Sequence, residues 1–320
     1  MKKNIYLITG SAGFIGYHLA KFLLQKKNIV VGIDNIKGFY DDKIKSDRVK
    51  ILKKYKNFKF YKKDVADIDI FLSQNEKKNI KVIFHLAAQP GVRLSEKYSD
   101  DYLSRNLISY LKILHFTSKN KIPYFFYASS SSVYGDHKLF PLKENQNLIP
   151  KNIYSFSKKN NEDIARIYHD TYGLNSVGLR FFTVYGEWGR PDMLMIKYLI
   201  AKKNKKNFIL NNKGNHFRDF TYIEDVTNIL TKLILSKNKK KSVYNICSNK
   251  PISVKSILKK LDKLYGKPNI IYEKKLAIEV LKTHGSNSEI KKITKFKNFT
   301  KIDKGIQNLV FWAKQFLNKI

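Results

Sequence analysis

The chain has 320 residues, 43% of them apolar, enough to bury one large core or two modest ones. It holds no run of about 18 apolar residues, which speaks against a transmembrane helix. Its single cysteine, Cys247, excludes a disulfide framework or a cysteine-built metal site and points to a reducing cytoplasm.

A formal charge of +36 invites a nucleic-acid partner, but only seven of the 62 basic residues are arginines. Arginine is the residue that forks onto phosphates and bases. Lysines scattered through an asparagine-rich chain read as compositional bias, so a nucleic-acid partner is set aside. The short clusters "AKKNKKN" (201–207) and "KNKKK" (237–241) stand out locally. The charge as a whole attracts anionic small molecules.

The chain opens "MKKNIYLITGSAGFIG", two lysines and then an apolar run, as a targeting segment does. Glycines break that run within a few residues, so "NIYLIT" reads as a strand instead. Next come "FIGYHLAKFLLQ" as a helix and "IVVGID" as a strand. "NFKFYKKD" and the buried "KVIFHLAA" are strands, followed by a helix near Leu103 to Ser118. "PYFFYAS" is a strand, a helix runs from about Tyr154 to Thr171, and "SVGLRF" is another strand. Strands alternating with helices imply right-handed crossovers and an α/β, Rossmann-type, doubly wound parallel sheet. After Phe182 the elements shorten, which suggests a smaller C-terminal α/β lobe. The expected division is 1–182 and 183–320, with some later segments returning to the first domain. "IDKGIQNLVFWAKQFL" closes the chain as an amphipathic helix.

"TGSAGFIG" places Gly10, Gly13 and Gly16 between the first strand and the first helix, the context that a dinucleotide fingerprint requires. Phe14 and Ile15 lie inside the motif. The glycines permit a tight turn, a close approach of backbone to pyrophosphate, and tight helix–strand packing. The helix N-terminus offers amide donors and a positive dipole. Asp34 ends the second strand, 18 residues after Gly16, with Asn35 behind it. A carboxylate there accepts the adenosine ribose hydroxyls and repels a 2′-phosphate, so NAD is favoured over NADP.

The glycine spacing, together with "HLAAQ" (His85, Leu86, Ala87, Ala88, Gln89), resembles the extended short-chain dehydrogenase/reductase family. The resemblance implies that "KDVAD" supplies Asp64 and Val65 to the adenine. It also implies that Asn106 supports the active-site geometry and that Leu86 to Gln89 line the cofactor. Members often dimerise through a helix pair, so a homodimer is expected. His85, in a buried strand, reads as structural, and the other histidines show no metal-ligand spacing.

"YASSSSVYG" (127–135) sits at the C-terminal end of a predicted parallel strand, where open α/β sheets bind ligands. Twenty residues after Tyr134, "YSFSK" sets Tyr154 and Lys158 four apart, on one helix face. A nearby ammonium and a cationic oxidised nicotinamide stabilise a phenolate, so Tyr154 can act as a base near neutrality. Ser130 is the first choice to hydrogen-bond the reacting sugar hydroxyl, with Ser132 and Ser131 behind it. Family members that dehydrate or decarboxylate carry a carboxylic acid beside this serine or threonine. Here Ser131, Ser132 and Val133 follow instead, which favours return of the hydride and hence epimerisation.

"LRFFTVYGEWGRPDM" (179–193) closely resembles the signature of UDP-glucuronate 4-epimerases, which implies that Thr183 and Arg190 hold a sugar carboxylate. Oxidation at C4 makes a β-keto acid prone to lose CO₂, and a bidentate arginine could hold the carboxylate out of line with the ketone. The bland alternative pairs Arg190 with a surface acid or the diphosphate. "GVR" (91–93) and "NIKGFYDDKIK" (35–45) resemble the same group, and Arg93 on its loop could face substrate. "HFRDFTYIEDV" (216–226) resembles the nucleotide-sugar segment, with Arg218 at the position that contacts the UDP phosphates. "LAIEVLKTHGSNS" (276–288) departs from the family: Glu279 stands where an aspartate meets the uridine ribose, with no arginine just before it. Glu187 replaces the usual proline after "VYG", and Thr283 is a candidate for the sugar pocket. Trp188 would flank the substrate loop, and Trp312 belongs to the core.

These motifs imply NAD-dependent 4-epimerisation of UDP-glucuronate to UDP-galacturonate. An epimerase of a neutral UDP-hexose, such as UDP-glucose or UDP-N-acetylglucosamine, or another NAD-dependent nucleotide-sugar enzyme, stays open. So does a non-catalytic NAD-sensing or polyanion-binding protein, which would have no need of Tyr154, Lys158 and Ser130. No metal site and no membrane partner is expected.

Overall fold

β-branched and aromatic residues dominate the strands of the first half, as a sheet buried on both faces requires. In the computed structural model, which describes residues 4–38, 40–236, 242–274 and 278–317, they form β1 (Ile5–Thr9), β2 (Ile29–Ile33), β3 (Phe58–Tyr61), β4 (Ile80–His85), β5 (Tyr124–Ser130) and β6 (Ser176–Phe181). The later strands are β7 (Thr183–Tyr185), β8 (Phe208–Asn211), β9 (Phe217–Tyr222), β10 (Val243–Ile246), β11 (Pro251–Ser253) and β12 (Ile270–Glu273). The lysine cluster 237–241 lies outside the described residues, as do Phe39, Leu276 and Ala277.

A seven-stranded sheet runs in the order β10-β6-β5-β4-β1-β2-β3. β1 pairs in parallel with β2 and β4, β2 with β3, and β4 with β5. The chain leaves β1 in one direction and resumes at β4 in the other, so the strand order reverses between β1 and β4. Thr9 is level with Ile33 on one side and His85 on the other, so the C-terminal ends of β1, β2 and β4 line up. Such a switch point opens the crevice in which doubly wound sheets hold ligands.

The chain divides into two compact units. One comprises Met1–Gly135, Asn147–Arg180 and Leu235–Tyr244, the other Asp136–Gln146, Phe181–Ile234 and Asn245–Ile320. In the first, Leu7, Ile83, Phe125 and Tyr127 of the sheet pack against Tyr110, Ile113, Leu114 and Ala165 of the helices, all 3% exposed or less. Burying each large side chain of this kind contributes about 1.5–3 kcal/mol. The helix expected near 103–118 begins as Ser99–Leu103, passes through a π-turn at Ser104–Ile108 and continues as Ser109–Lys119.

In the second unit β9 is sandwiched between β7, parallel to it, and β11, antiparallel to it, while β8 and β12 form a separate parallel pair. The helix Val254–Tyr265 starts from Ser253, whose hydroxyl accepts the N–H of Ser256, and buries Val254, Ile257, Leu258 and Leu261. That spacing is one helical face. The closing helix Ile302–Phe316 buries Ile306, Leu309, Val310, Trp312 and Ala313. Trp188 belongs to this packing. Its ring lies 5.6 Å from Trp312 and 5.7 Å from Phe316, so the turn after β7 is anchored on the closing helix. Cys247 is fully buried, and burial pushes its thiol well above the ordinary range. No described helix is long and apolar enough to cross a membrane.

Candidate active site and cofactor site

Gly10 turns the chain out of β1 with φ +72°, and a Cβ there would lie 2.6 Å from the backbone nitrogen of Ala87. The loop after β1 and the end of β4 therefore touch backbone to backbone, which only glycine permits. Leu86 N–H donates to Thr9 O (3.1 Å) and Ala87 N–H to Thr9 Oγ1 (3.3 Å), fixing Leu86, Ala87 and Ala88 beside the first loop. Gly16 packs on the Gly10 carbonyl.

The helix Phe14–Gln25 starts at Gly13 without a side-chain cap, which leaves the first-turn N–H groups of Phe14 and Ile15 for a ligand. A Cβ on Gly13 would meet nothing beyond the Gly10 carbonyl, so the space over the helix start is open to a phosphate. These residues fit a dinucleotide.

Asp34 follows β2 and holds two backbone donors, Ala12 N–H at 3.0 Å on one oxygen and Ile36 N–H at 2.8 Å on the other. Burial raises its carboxyl above the usual range, against the pull of Lys45, of those two amides and of Arg48. Asp64 is tied to Asn35 (3.0 Å) and caps the turn Val65–Asp67 by accepting Ala66 N–H (2.9 Å). The ends of β2 and β3 are thus locked together around Asn35, Asp64 and Val65.

Asn106 sits in the π-turn, 1% exposed. Its carbonyl accepts Gln89 N–H (2.7 Å), and its amide donates to Gln89 O (3.0 Å) and Ser157 Oγ (3.2 Å). Ser157 in turn donates to Tyr154 O (2.8 Å). One buried amide therefore couples the loop after β4 to the helix Ile153–Tyr172, which carries Tyr154 and Lys158. Single π-turns inside α-helices often mark functional sites.

That helix starts from a reciprocal cap between Asn152 and Ser155. Tyr154 is half-buried one residue into it, and its ring stands edge-on to Tyr102, 6.3 Å between centroids. Lys158 is 2% exposed, with its ammonium 5.9 Å from the Tyr154 ring centroid. Burial brings its pKa down to about 8. His85 shares a hydrogen bond with Thr9 (2.8 Å), and burial together with the Lys158 charge drives its pKa down to about 3, so it stays neutral.

The serine turn follows β5. Ser130 Oγ accepts both the N–H of Ser132 (3.2 Å) and its hydroxyl (2.9 Å), capping the turn Ser131–Tyr134. Two accepted bonds leave the Ser130 O–H as a polarised donor. Ser130, Ser131 and Ser132 are all half-buried. Arg93 is exposed on the loop after β4.

The remaining sequence candidates belong to the second unit. Thr183 opens β7, half-buried and level with Phe220 of β9. Arg190 forks onto Asp192, Nε to Oδ1 at 3.0 Å and Nη2 to Oδ2 at 2.5 Å. Arg218 donates to the carbonyls of Phe217 (2.9 Å) and Leu281 (3.1 Å). Glu279 is 6% exposed, with Oε2 3.6 Å from His216 Nε2. Glu187 accepts the hydroxyl of Tyr222 on both oxygens, at 2.8 and 2.9 Å. Thr283 Oγ1 accepts Asp219 N–H (3.3 Å).

Several polar residues beneath the site escaped the sequence reading. Arg48, fully buried, donates to Ala12 O (2.8 Å), and Lys45 donates to Lys37 O (2.7 Å), so the helix Asp42–Leu52 braces the loops around Asp34. Arg180, within apolar β6, pairs with Glu162. The available signal was a lone arginine in an otherwise apolar strand, which has to find a buried partner.

Comparison with known proteins agrees with this architecture. Residues 6–247 match the family described as the NAD dependent epimerase/dehydratase family. The chain is 35% identical to Protein CapI of Staphylococcus aureus, over 98% of this chain and 99% of that protein. It is 32% identical to UDP-glucuronate 4-epimerase of Thermodesulfobacterium geofontis, over 98% of each. The crystal structure of a Bacillus cereus UDP-glucuronic acid 4-epimerase, in complex with UDP-glucuronic acid and NAD, superposes with a TM-score of 0.91 at 30% identity. That match covers 97% of this chain and 99% of the other. The chain therefore belongs to the NAD dependent epimerase/dehydratase family.

Proposed function

We propose that the chain is an NAD-dependent UDP-glucuronate 4-epimerase. The observation that carries this reading is the assembly, within one unit, of the glycine turn, Asp34, Ser130, Tyr154 and Lys158, in a chain that matches UDP-glucuronate 4-epimerases over nearly its full length. Gly10, Gly13, Phe14, Ile15 and Gly16 would hold the pyrophosphate, Asp34 and Asn35 the adenosine ribose, and Asp64 and Val65 the adenine. Leu86 to Gln89, Asn106, Tyr154 and Lys158 would enclose the nicotinamide end. Bound NAD supplies a hydride acceptor that later gives the hydride back, so the reaction has no net redox change.

Tyr154 takes the proton from the sugar 4-hydroxyl as the C4 hydrogen leaves with its electron pair, and Lys158 stabilises the phenolate form that does so. Ser130 donates to the same oxygen, with Ser131 and Ser132 behind it. The 4-keto sugar turns over, the hydride returns to its other face, and Tyr154 returns the proton, giving UDP-galacturonate. No carboxylic acid stands in the serine turn to drive elimination. Thr183 and Arg190 are assigned to the sugar carboxylate, Arg218 to the diphosphate, Glu279 to the uridine ribose, and Arg93 to the substrate side of its loop.

The Arg190–Asp192 fork favours a second reading. A guanidinium already matched by a carboxylate has less need of an acid sugar, which would suit a neutral UDP-hexose. One experiment separates the two. The purified protein is incubated with UDP-glucuronate, UDP-glucose or UDP-N-acetylglucosamine, without added NAD, and the sugar signals are followed by proton NMR. UDP-galacturonate from the acid alone supports the main reading. Turnover of only the neutral sugars replaces it with the second, and a pentose product means decarboxylation.

We further assign the protein to the cytoplasm, where its buried Cys247 stays reduced, and its product to glycosyl transfer into surface polysaccharide. A homodimer is also proposed. Ile108 and Leu111 on one helix, and Phe156 and Ile167 on the helix packed beside it, are 56%, 41%, 46% and 52% exposed. Ile108 and Leu111 share one side of their helix, Phe156 and Ile167 lie about three turns apart on theirs, and a second copy of the same helix pair covers them by two-fold symmetry.

A further inference from the structure

The serine turn is bracketed by two hydrogen bonds that end on one buried ion pair. Arg180 of β6 forks onto Glu162, Nε to Oε1 at 2.9 Å and Nη2 to Oε2 at 2.7 Å, with both side chains under a tenth exposed. Ser129, just before Ser130, donates its hydroxyl to Glu162 Oε1 (2.5 Å). Tyr134, the last residue of the turn, accepts from Arg180 Nη1 (2.8 Å), and the guanidinium carbon lies 4.8 Å from its ring centroid. Ser129 and Tyr134 are themselves buried. Glu162 stands four residues beyond Lys158 on the same helix, one turn or about 6 Å along the axis.

We propose that the Arg180–Glu162 pair is a positioning device that fixes the serine turn against the helix bearing Tyr154 and Lys158, with Ser129 and Tyr134 as its two arms. A buried ion pair is weak support for stability, since well-packed apolar residues often do as well. Its planar fork instead fixes orientation. The pair reaches β5, β6, the turn and the helix at once, and so sets how Ser130 and Tyr154 stand relative to each other. Those two hydroxyls have to meet one sugar oxygen, where small displacements are costly. The proposal rests on the reading that the serine turn and Tyr154 form the reacting centre.

Ser129→Ala and Tyr134→Phe each remove one arm as a single hydroxyl and leave the ion pair intact. Each is expected to lower kcat on UDP-glucuronate by about tenfold, with KM changed by less than about twofold, the signature of an interaction that serves the transition state. Ser129→Thr, which keeps the hydroxyl, restores kcat. In the same variants, hydrogen–deuterium exchange over 130–136 rises by about tenfold while the helix 153–172 is unchanged. If kcat and exchange both stay at the wild-type level in both variants, the device does not exist. A rise in KM at constant kcat also overturns it, making these residues substrate contacts. If the wild-type protein does not turn over UDP-glucuronate, the functional reading fails on its own, and the exchange measurement still decides the positioning claim.

Discussion

The Lys158 ammonium lies 5.9 Å from the centre of the Tyr154 ring and is almost wholly buried. Burial holds its pKa near 8. The charge that supports a Tyr154 phenolate is therefore present at neutral pH and lost as pH rises through that value. The epimerisation rate should fall on an alkaline limb with an apparent pKa near 8. Lys158→Arg, whose guanidinium keeps its charge at any accessible pH, should turn over more slowly but lose that limb. A wild-type rate that stays flat well above pH 8 would remove Lys158 from the proposed role.

The same burial has a stability consequence of opposite sign. A lysine whose folded pKa is below its unfolded value, about 10.4, destabilises the fold at neutral pH. That penalty is fully present below pH 8 and is relieved between pH 8 and the unfolded value, where the unfolded chain binds more protons. Lys158→Met should therefore stabilise the cofactor-free protein at pH 7, by on the order of 3 kcal/mol, while turnover is lost. Chemical denaturation of wild type and variant at pH 7 and pH 10 checks both the gain and its shrinkage at the higher pH. A variant less stable than wild type at pH 7 contradicts the argument.

Asp34 orders the loop ahead of the first helix and the chain beyond β2 through Ala12 and Ile36. Asp34→Asn keeps the size, removes the charge and can still accept only one of the two N–H groups. Affinity for NAD should drop by about 10- to 100-fold, the value of one or two hydrogen bonds to a charged group, and discrimination against NADP should relax. Calorimetric titration of the cofactor-free protein with both nucleotides measures this. Unchanged NAD affinity would move the ribose contact away from Asp34.

The apolar face of Ile108, Leu111, Phe156 and Ile167 predicts a dimer that a single charge can break. Phe156→Asp places two buried carboxylates in a two-fold interface, one from each copy. Sedimentation equilibrium should give twice the monomer mass for wild type and the monomer mass for the variant. A monomeric wild type ends the proposal.

The glycine turn and the Tyr154–Lys158 pair were legible because each is a local pattern, a fixed spacing within one turn or helix, and Asp34 because it closes the next strand along. The Rossmann sheet was legible for the same reason, since its strands are continuous apolar runs. Contacts between elements distant in the chain were not legible. Arg48 bonding Ala12, Asn106 bridging Gln89 and Ser157, and Arg180 meeting Glu162 each join separate elements. The π-turn around Asn106 has no sequence signature, and the packing of Trp188 on Trp312 was hidden because its partner lies over a hundred residues later.

Arg190 separates the two substrate readings. Its fork on Asp192 is formed with Asp192 half-exposed and Arg190 largely covered. With Asp192 half in solvent the pair is screened and worth little to stability, so Arg190→Ala should change thermal unfolding only slightly. If Arg190 holds the sugar carboxylate, the variant loses a charge-assisted contact worth about 2–5 kcal/mol, and kcat/KM on UDP-glucuronate falls at least about thirtyfold. Arg190→Lys keeps the charge but not the fork. Its 4-keto acid is held less rigidly, and a pentose product from CO₂ loss should appear alongside the epimer. If Arg190→Ala leaves kcat/KM on the acid sugar unchanged, Asp192 is the true partner of Arg190, and the specificity for glucuronate lies with Thr183 or elsewhere.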